Sequence, residues 1–391
     1  MTMDYESFIA PSAKAMKPSG IRKFFDIAAE MPDCISLGVG EPDFKTPWAI
    51  REAGIQTLSF GKTQYSSNAG LKDLRNEIVR YLDRRLGIQF SADQVIVTVG
   101  GSEAIDLCIR SIISEGDEVI IPEPCFVCYE PITTLSHGVP VHLPCRPEDG
   151  FKLNPELLEK AITGRTKLIV LPFPNNPTGA VMEREDWEAI AQVLKDKHVL
   201  CLSDEIYAEL NYTGRRHVSP VTVPGLSDKT IVVNGFSKTY AMTGWRLGYV
   251  CAPKPIYEVM LKIHQNAIMC APTTSQYAAV VALRDCDSEI VRMRDEYDMR
   301  RKLCVKGFND IGLECFEPKG AFYVFPSIKS TGLSSQEFCL KLLERKKVAV
   351  IPGDAFGDCG DGYIRVSYAY STDHLVEAIK RIGEFVRELK K

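Results

Sequence analysis

The sequence predicts an α/β protein: a large domain with a mainly parallel sheet covered by helices, plus a smaller α+β domain. Three observations carry this. From about residue 46 to 284, short and wholly apolar runs alternate with helical patterns. After residue 285 the pattern changes to two strand-like runs with helices between and behind them. The chain has 391 residues, enough for two to three folding units at roughly 150 residues each.

The elements follow in order. Residues 1–45 contain no strand–helix unit and are expected to pack against the smaller domain or a partner subunit. Apolar runs at Gln94–Val99, Glu118–Ile121, Lys167–Leu171, Val199–Leu202 and Thr230–Val233 read as strands. Helical patterns such as Ser102–Ile113 and Arg184–Lys197 lie between them. Strands that are apolar on both faces and separated by helices belong in a parallel sheet covered on both sides. The domain division expected is therefore 46–284 for the large domain, with 1–45 and 285–391 forming the smaller one. A long helix, Ser288–Asn309, joins the two. Ala321–Phe325 and Tyr363–Tyr368 read as strands of the smaller domain. The last helix places Leu375, Ile379, Ile382, Val386 and Leu389 on one stripe.

Composition narrows the function classes. The chain is 45% hydrophobic and 25% charged with a net charge of −4, which offers nothing to a nucleic acid. No apolar run approaches the roughly 18 residues of a membrane span, and Met1–Met16 lacks a signal-peptide core, so a cytoplasmic location is expected. The 13 cysteines are scattered, as buried free thiols would be. The single CxxC, Cys125 to Cys128, has no second pair and reads as coincidence. The six histidines show no ligand spacing, so no metal site is expected.

In an open parallel sheet, ligands bind beyond the carboxyl ends of the strands. Four such ends carry polar residues. Gly100-Gly101-Ser102-Glu103 opens a helix, with Ser102 as its N-cap; the N–H groups of Ser102, Glu103 and Ala104 would bind an anion, although taken alone so short a glycine motif reads first as an ordinary capped tight turn. Asn175-Asn176-Pro177-Thr178-Gly179 taken alone is a turn. Ser203-Asp204-Glu205-Ile206-Tyr207 offers a carboxylate and a phenol to one ligand, or else a helix start capped by Asp204. Asn234-Gly235-Phe236-Ser237-Lys238 puts a lysine among small residues, with Arg246 eight residues later. An anion cradle, an amide, a carboxylate and an amine are together the parts that pyridoxal phosphate requires.

At this point a resemblance is evident. SDEIY, NPTG, NGFSKTYAMTGWRLGY and YIRVSYA, with GEPDF and GGSEA, resemble the signature segments of class I aminotransferases of pyridoxal-phosphate fold type I. The likeness runs from about Lys17 to the end and is greatest to the aspartate- and aromatic-aminotransferase-like branch. It implies that Lys238 carries the cofactor and that Asp204 pairs with the pyridinium nitrogen. It implies that Asn176 and Tyr207 hold the phenolic oxygen, and that Gly101, Ser102, Glu103, Ser237 and Arg246 hold the phosphate. Phe126 would stack on the ring, and Tyr65 would reach a phosphate across a homodimer interface. Gly40, Phe126, Asn176 and Arg365 would contact substrate, Arg365 gripping the α-carboxylate. Strand alternation alone does not direct Arg365, since an arginine in a strand more often meets solvent.

The activity so implied is transfer of an amino group from an L-amino acid, aromatic or aspartate-like, to a 2-oxo acid such as 2-oxoglutarate, by a ping-pong mechanism. An N-acetyl-diaminopimelate-type aminotransferase and a C–S lyase use the same parts. A non-catalytic cofactor-sensing module would need a DNA-reading domain, and fewer than 40 residues precede GEPDF. Nothing identifies the residue that reads the side chain; Arg22 is a weak candidate. The ring and Arg246 are expected to depress the Lys238 pKa.

Overall fold

The computed structural model describes residues 3–16, 31 and 33–389. Twelve strands form three sheets among the described residues. They are β1 (Ile35–Ser36), β2 (Val95–Thr98), β3 (Glu118–Glu123), β4 (Val139–Pro144), β5 (Thr166–Leu171), β6 (Leu200–Asp204), β7 (Thr230–Gly235), β8 (Gly248–Cys251), β9 (Tyr323–Val324), β10 (Val348–Ala349), β11 (Ile351–Pro352) and β12 (Ile364–Ser367).

The seven-stranded sheet has the order β2-β8-β7-β6-β5-β3-β4. All of its strands run in one direction except β8, which is antiparallel to both β2 and β7. The α/β architecture expected from sequence is the one observed. The apolar runs were legible because strands such as β2 and β7 are buried at every position, so they carry no alternation. Two strands of this sheet escaped the sequence reading, as did the short β1, β10 and β11 of the other sheets. β4 is an edge strand with partly exposed, mixed residues, and β8 follows directly on the lysine segment.

The helix Gly100–Ile112 and the helices Lys254–Ala267 and Thr273–Asp285 cover this sheet. Apolar side chains on its two faces form separate clusters, one around Leu74, Val97 and Tyr249, another around Ile105, Val170 and Val233. The expected connecting helix is Asp287–Asp310.

The second core gathers Phe308, Phe322, Phe338, Val366 and Phe385. Here β11, β12 and β9 make a three-stranded antiparallel sheet. The last helix, Thr372–Leu389, buries Leu375, Ile379, Ile382 and Val386 as its stripe requires. The strand expected over Ala321–Phe325 is shorter, only Tyr323–Val324. Ala321 has φ +58°, which breaks the extended run before β9 begins.

The early chain joins this second core. β1 pairs in parallel with β10, and the chain continues as a strap from Leu37 to Thr46. The strap is pinned at its far end: Arg300 Nη1 donates to both Asp43 carboxylate oxygens at 2.8 and 3.0 Å, Phe44 meets Tyr297 in an edge contact, and Thr46 Oγ1 donates to Ala241 O at 2.6 Å.

Candidate active site

A cleft of about 380 Å³ lies where the strap crosses the carboxyl ends of β5, β6 and β7. Gly40, Gly101, Ser102, Phe126, Asn176, Asp204, Tyr207, Ser237, Lys238, Arg246 and Arg365 all line it. Of the residues singled out from sequence, Glu103 and Tyr65 do not.

Lys238 stands three residues beyond β7. Its Nζ donates to Gly40 O at 2.5 Å and lies 5.7 Å from the Phe322 ring centroid. Its pKa is lowered to about 8. Burial is the main cause, with Arg365 and Arg246 adding to it and Glu41 opposing. Desolvation by the fold, rather than cationic neighbours, therefore does most of what the sequence reading assigned to charge.

Asp204 ends β6 and is buried. Its Oδ2 accepts from Tyr129 OH at 2.7 Å and its Oδ1 from the Ile206 N–H at 3.2 Å. Burial raises its pKa, and the Tyr129 bond opposes that shift. The segment after β6 is a turn, so Asp204 does not cap a helix. Tyr129 was not found from sequence; nothing in the spacing of Phe126 and Tyr129 marks a partner 75 residues away.

The anion cradle differs from the expected one in detail. The helix begins at Gly100, with Val99 in the cap position, so Ser102 sits inside the first turn and is not the N-cap. The Glu103 side chain folds back over the helix start without capping its free N–H groups: its Oε2 accepts the Val99 N–H, while Oε1 meets buried His264 Nδ1 at 2.6 Å. That carboxylate is committed and turned from the cleft. Gly100 has φ +78°, and a Cβ there would lie 2.6 Å from Arg246 Nη2. Arg246 is thereby free to approach the start of the helix, its Nη1 donating to Thr243 O at 3.2 Å.

Arg365, on β12, is only 3% exposed. The solvent-facing alternative is thus overturned, because the second core and the strap cover both faces of β12. Its Nη1 donates to Asn176 Oδ1 at 3.0 Å and its Nη2 to Gly38 O at 2.5 Å, while Nε is buried without a partner. The guanidinium lies between the rings of Tyr323 and Phe356, at 4.6 and 4.7 Å. Among the described residues no carboxylate neutralises it. A buried cation without a counter-ion is costly, so this arrangement favours an arriving carboxylate.

Tyr207 OH lies 2.9 Å from Tyr323 OH, and burial keeps the Tyr207 phenol protonated. A Cβ at Gly40 would come within 2.5 Å of Tyr323 OH, so the strap passes close only because that residue is glycine. Tyr323 was missed as a site residue, although it falls within the run read as a strand, Ala321–Phe325. Tyr65 is 82% exposed and outside the cleft. Arg22 lies outside the described residues.

Cys125 and Cys128 are free thiols. Where no metal site was expected, Glu123, Glu130 and His142 come together within 4.8 Å, with His142 paired to Glu123 at 2.7 Å. Among the described residues no helix is long and apolar enough to cross a membrane.

Comparison with known proteins identifies the family. A family model described as aminotransferase class I and II matches residues 32–382. The chain is 49% identical to the putative aminotransferase YugH of Bacillus subtilis, covering 98% of this chain and 99% of that one. It is 45% identical to an aspartate aminotransferase of Pyrococcus abyssi, covering 96% and 97%. The crystal structure of an aromatic aminotransferase from Pyrococcus horikoshii superposes with a TM-score of 0.90 at 42% identity, over 95% of this chain and 99% of that one. The chain therefore belongs to the class I and II aminotransferases, the pyridoxal-phosphate-dependent transaminases of fold type I, on the branch that holds aspartate and aromatic enzymes.

Proposed function

We propose that this chain binds pyridoxal phosphate at Lys238 and moves an amino group from an aromatic or aspartate-like L-amino acid to 2-oxoglutarate by a ping-pong mechanism. One observation carries the reading. A buried amine with its pKa lowered to about 8 shares a cleft with a buried carboxylate, Asp204, and an arginine, Arg365, that has no counter-ion among the described residues.

The residues fit the cofactor. The helix start at Gly100–Ser102 has no side-chain cap competing for its free N–H groups, and with Ser237 and Arg246 it would hold the phosphate. Asp204 would hold the pyridine nitrogen, Asn176 and Tyr207 the phenolic oxygen, and Phe126 the ring face. When bound, the protonated ring accepts the electron pair left as the substrate Cα–H bond breaks.

The chain's own groups do the rest. Arg365 orients the substrate α-carboxylate, with Asn176 beside it, and Gly40 leaves room for the strap to close over both. Lys238 Nζ removes the proton from the substrate Cα, which requires the neutral amine that burial supplies. The Tyr129 hydroxyl holds Asp204 in place and favours its ionised form. The same groups then serve in reverse when a second 2-oxo acid enters.

We further read the active molecule as a cytoplasmic homodimer in which Tyr65, exposed here, reaches the phosphate of a second copy. Residues 46–284 would be the cofactor-binding domain. A panel of amino acids assayed against 2-oxoglutarate and pyruvate tests the substrate reading. Activity confined to an acetylated diaminopimelate donor would replace it, and pyruvate released from cystathionine without an acceptor would indicate a C–S lyase.

A further inference from the structure

A second cleft, of about 480 Å³, shares no lining residue with the first. We propose that it binds a small dianionic oxyanion, a phosphate group, and that Arg215 and Arg216 are its ligands.

The charge inventory leads there. All three carboxylates lining the cleft are already paired. Glu209 is held by Arg85 at 2.7 Å, Asp295 by Arg294 at 2.8 Å, and Asp298 by Arg301 and Lys302 at 2.7 and 2.6 Å. Arg215 and Arg216 have no carboxylate partner among the described residues; Arg216 Nη2 reaches only Arg84 O, at 3.1 Å. Arg215 and Arg216 are consecutive, exposed and line the same cleft with no carboxylate partner among the described residues, so both guanidinium groups are available to fork onto phosphate oxygens.

The loop that presents them is built. Asn211 Oδ1 accepts the Thr213 N–H at 2.9 Å, Thr213 Oγ1 accepts the Arg215 N–H at 3.2 Å, and the Tyr212 N–H donates to Lys319 O at 2.8 Å. His217 also lines the cleft, is 4% exposed, and keeps Nδ1 buried with no protein partner. A net charge of −4 and the size of the cleft favour a small anion over a nucleic acid.

The cleft is wired to the first site. His217 Nε2 lies 3.1 Å from Glu205 Oε2, and the other Glu205 oxygen accepts from Ser203 at 2.8 Å and Ser219 at 2.5 Å. Glu205 directly follows Asp204. An anion drawn onto Arg215 and Arg216 shifts the loop that carries His217, and so the residue next to Asp204. This link, unlike the binding itself, rests on the cofactor reading above.

The test is calorimetric titration of the holoenzyme in chloride buffer at fixed ionic strength, with inorganic phosphate and, separately, with glycerol phosphate. Wild type, Arg215→Ala/Arg216→Ala and Arg365→Leu are compared. Saturable binding in wild type and Arg365→Leu, weakened at least about tenfold in the double variant, is expected. Binding of the ester alone would identify a phosphomonoester as the ligand; equal binding would show that free phosphate suffices. Absence of saturable binding of either probe, or equal affinity in the double variant, overturns the site. Visible absorbance of the bound cofactor, followed in the same titration, reads the link: no change with binding intact overturns the link alone. A protein that takes up no pyridoxal phosphate refutes the reading of Lys238, while the heat of phosphate binding still decides the cleft.

Discussion

One wall of the active-site cleft comes from the ends of consecutive parallel strands, the other from short strands of a second sheet and a strap of early chain. The first wall holds Asp204 and Lys238 at or just beyond β6 and β7, whose backbones are fixed by ladders on both sides. The second holds Arg365 on a four-residue strand, steadied by Asn176, Gly38 and two aromatic rings. The first wall is positioned by regular secondary structure, the second by side-chain packing between separate parts of the chain. The lesson is that chemistry at strand ends can be found locally, whereas recognition built across a cleft cannot.

Substitutions can break each wall separately. Lys238→Ala should have the largest effect, lowering turnover by up to roughly 10⁴-fold while substrate still binds. Single-turnover kinetics on the purified variant would check it; wild-type rates would remove the lysine from the reaction. Arg365→Leu breaks the other wall. Loss of charged hydrogen bonds worth about 3 kcal/mol should lower kcat/KM on the order of 100-fold, chiefly through KM and for every amino acid alike. An unchanged KM would mean that another group grips the carboxylate.

Tyr129→Phe sharpens the comparison, because it touches the first wall without removing a group that meets substrate. Losing about 1.5 kcal/mol of support at Asp204 should cost about tenfold in kcat with KM little changed. It should also move the pH dependence of the cofactor absorbance, which a merely structural tyrosine would leave in place. The smallest effect is the pH profile of the wild type. The amine must be neutral to act, and a folded-state pKa lowered to about 8 means that its neutral fraction rises through pH 8. The rate at which the apoprotein takes up pyridoxal phosphate should climb with a midpoint near there. A midpoint close to the ordinary lysine value would show that burial does not tune this residue.

That Lys238, Asp204 and the glycine turn at Gly100–Gly101 lie at or just beyond strand ends was legible, because the wholly apolar runs before them read as buried strands of a parallel sheet, although their spacing left more than one use open. The resemblance supplied Arg365, Asn176 and Gly40, which spacing alone left ambiguous. Tyr129 and Tyr323 were not legible, since each acts through a partner more than 70 residues away. Glu103 enters the expected anion cradle only through its backbone N–H; what its side chain does was not legible, because its partner His264 lies 161 residues on.

By itself the sequence determined the alternation of buried strands and helices, the apolar stripe of the last helix and the amine beyond β7, because periodicity and strand-end chemistry are local properties. Tertiary structure alone decided which way Arg365 faces, how far Lys238 is desolvated and what holds Asp204. Those depend on burial and on partners brought together from distant segments, and no spacing along the chain encodes them.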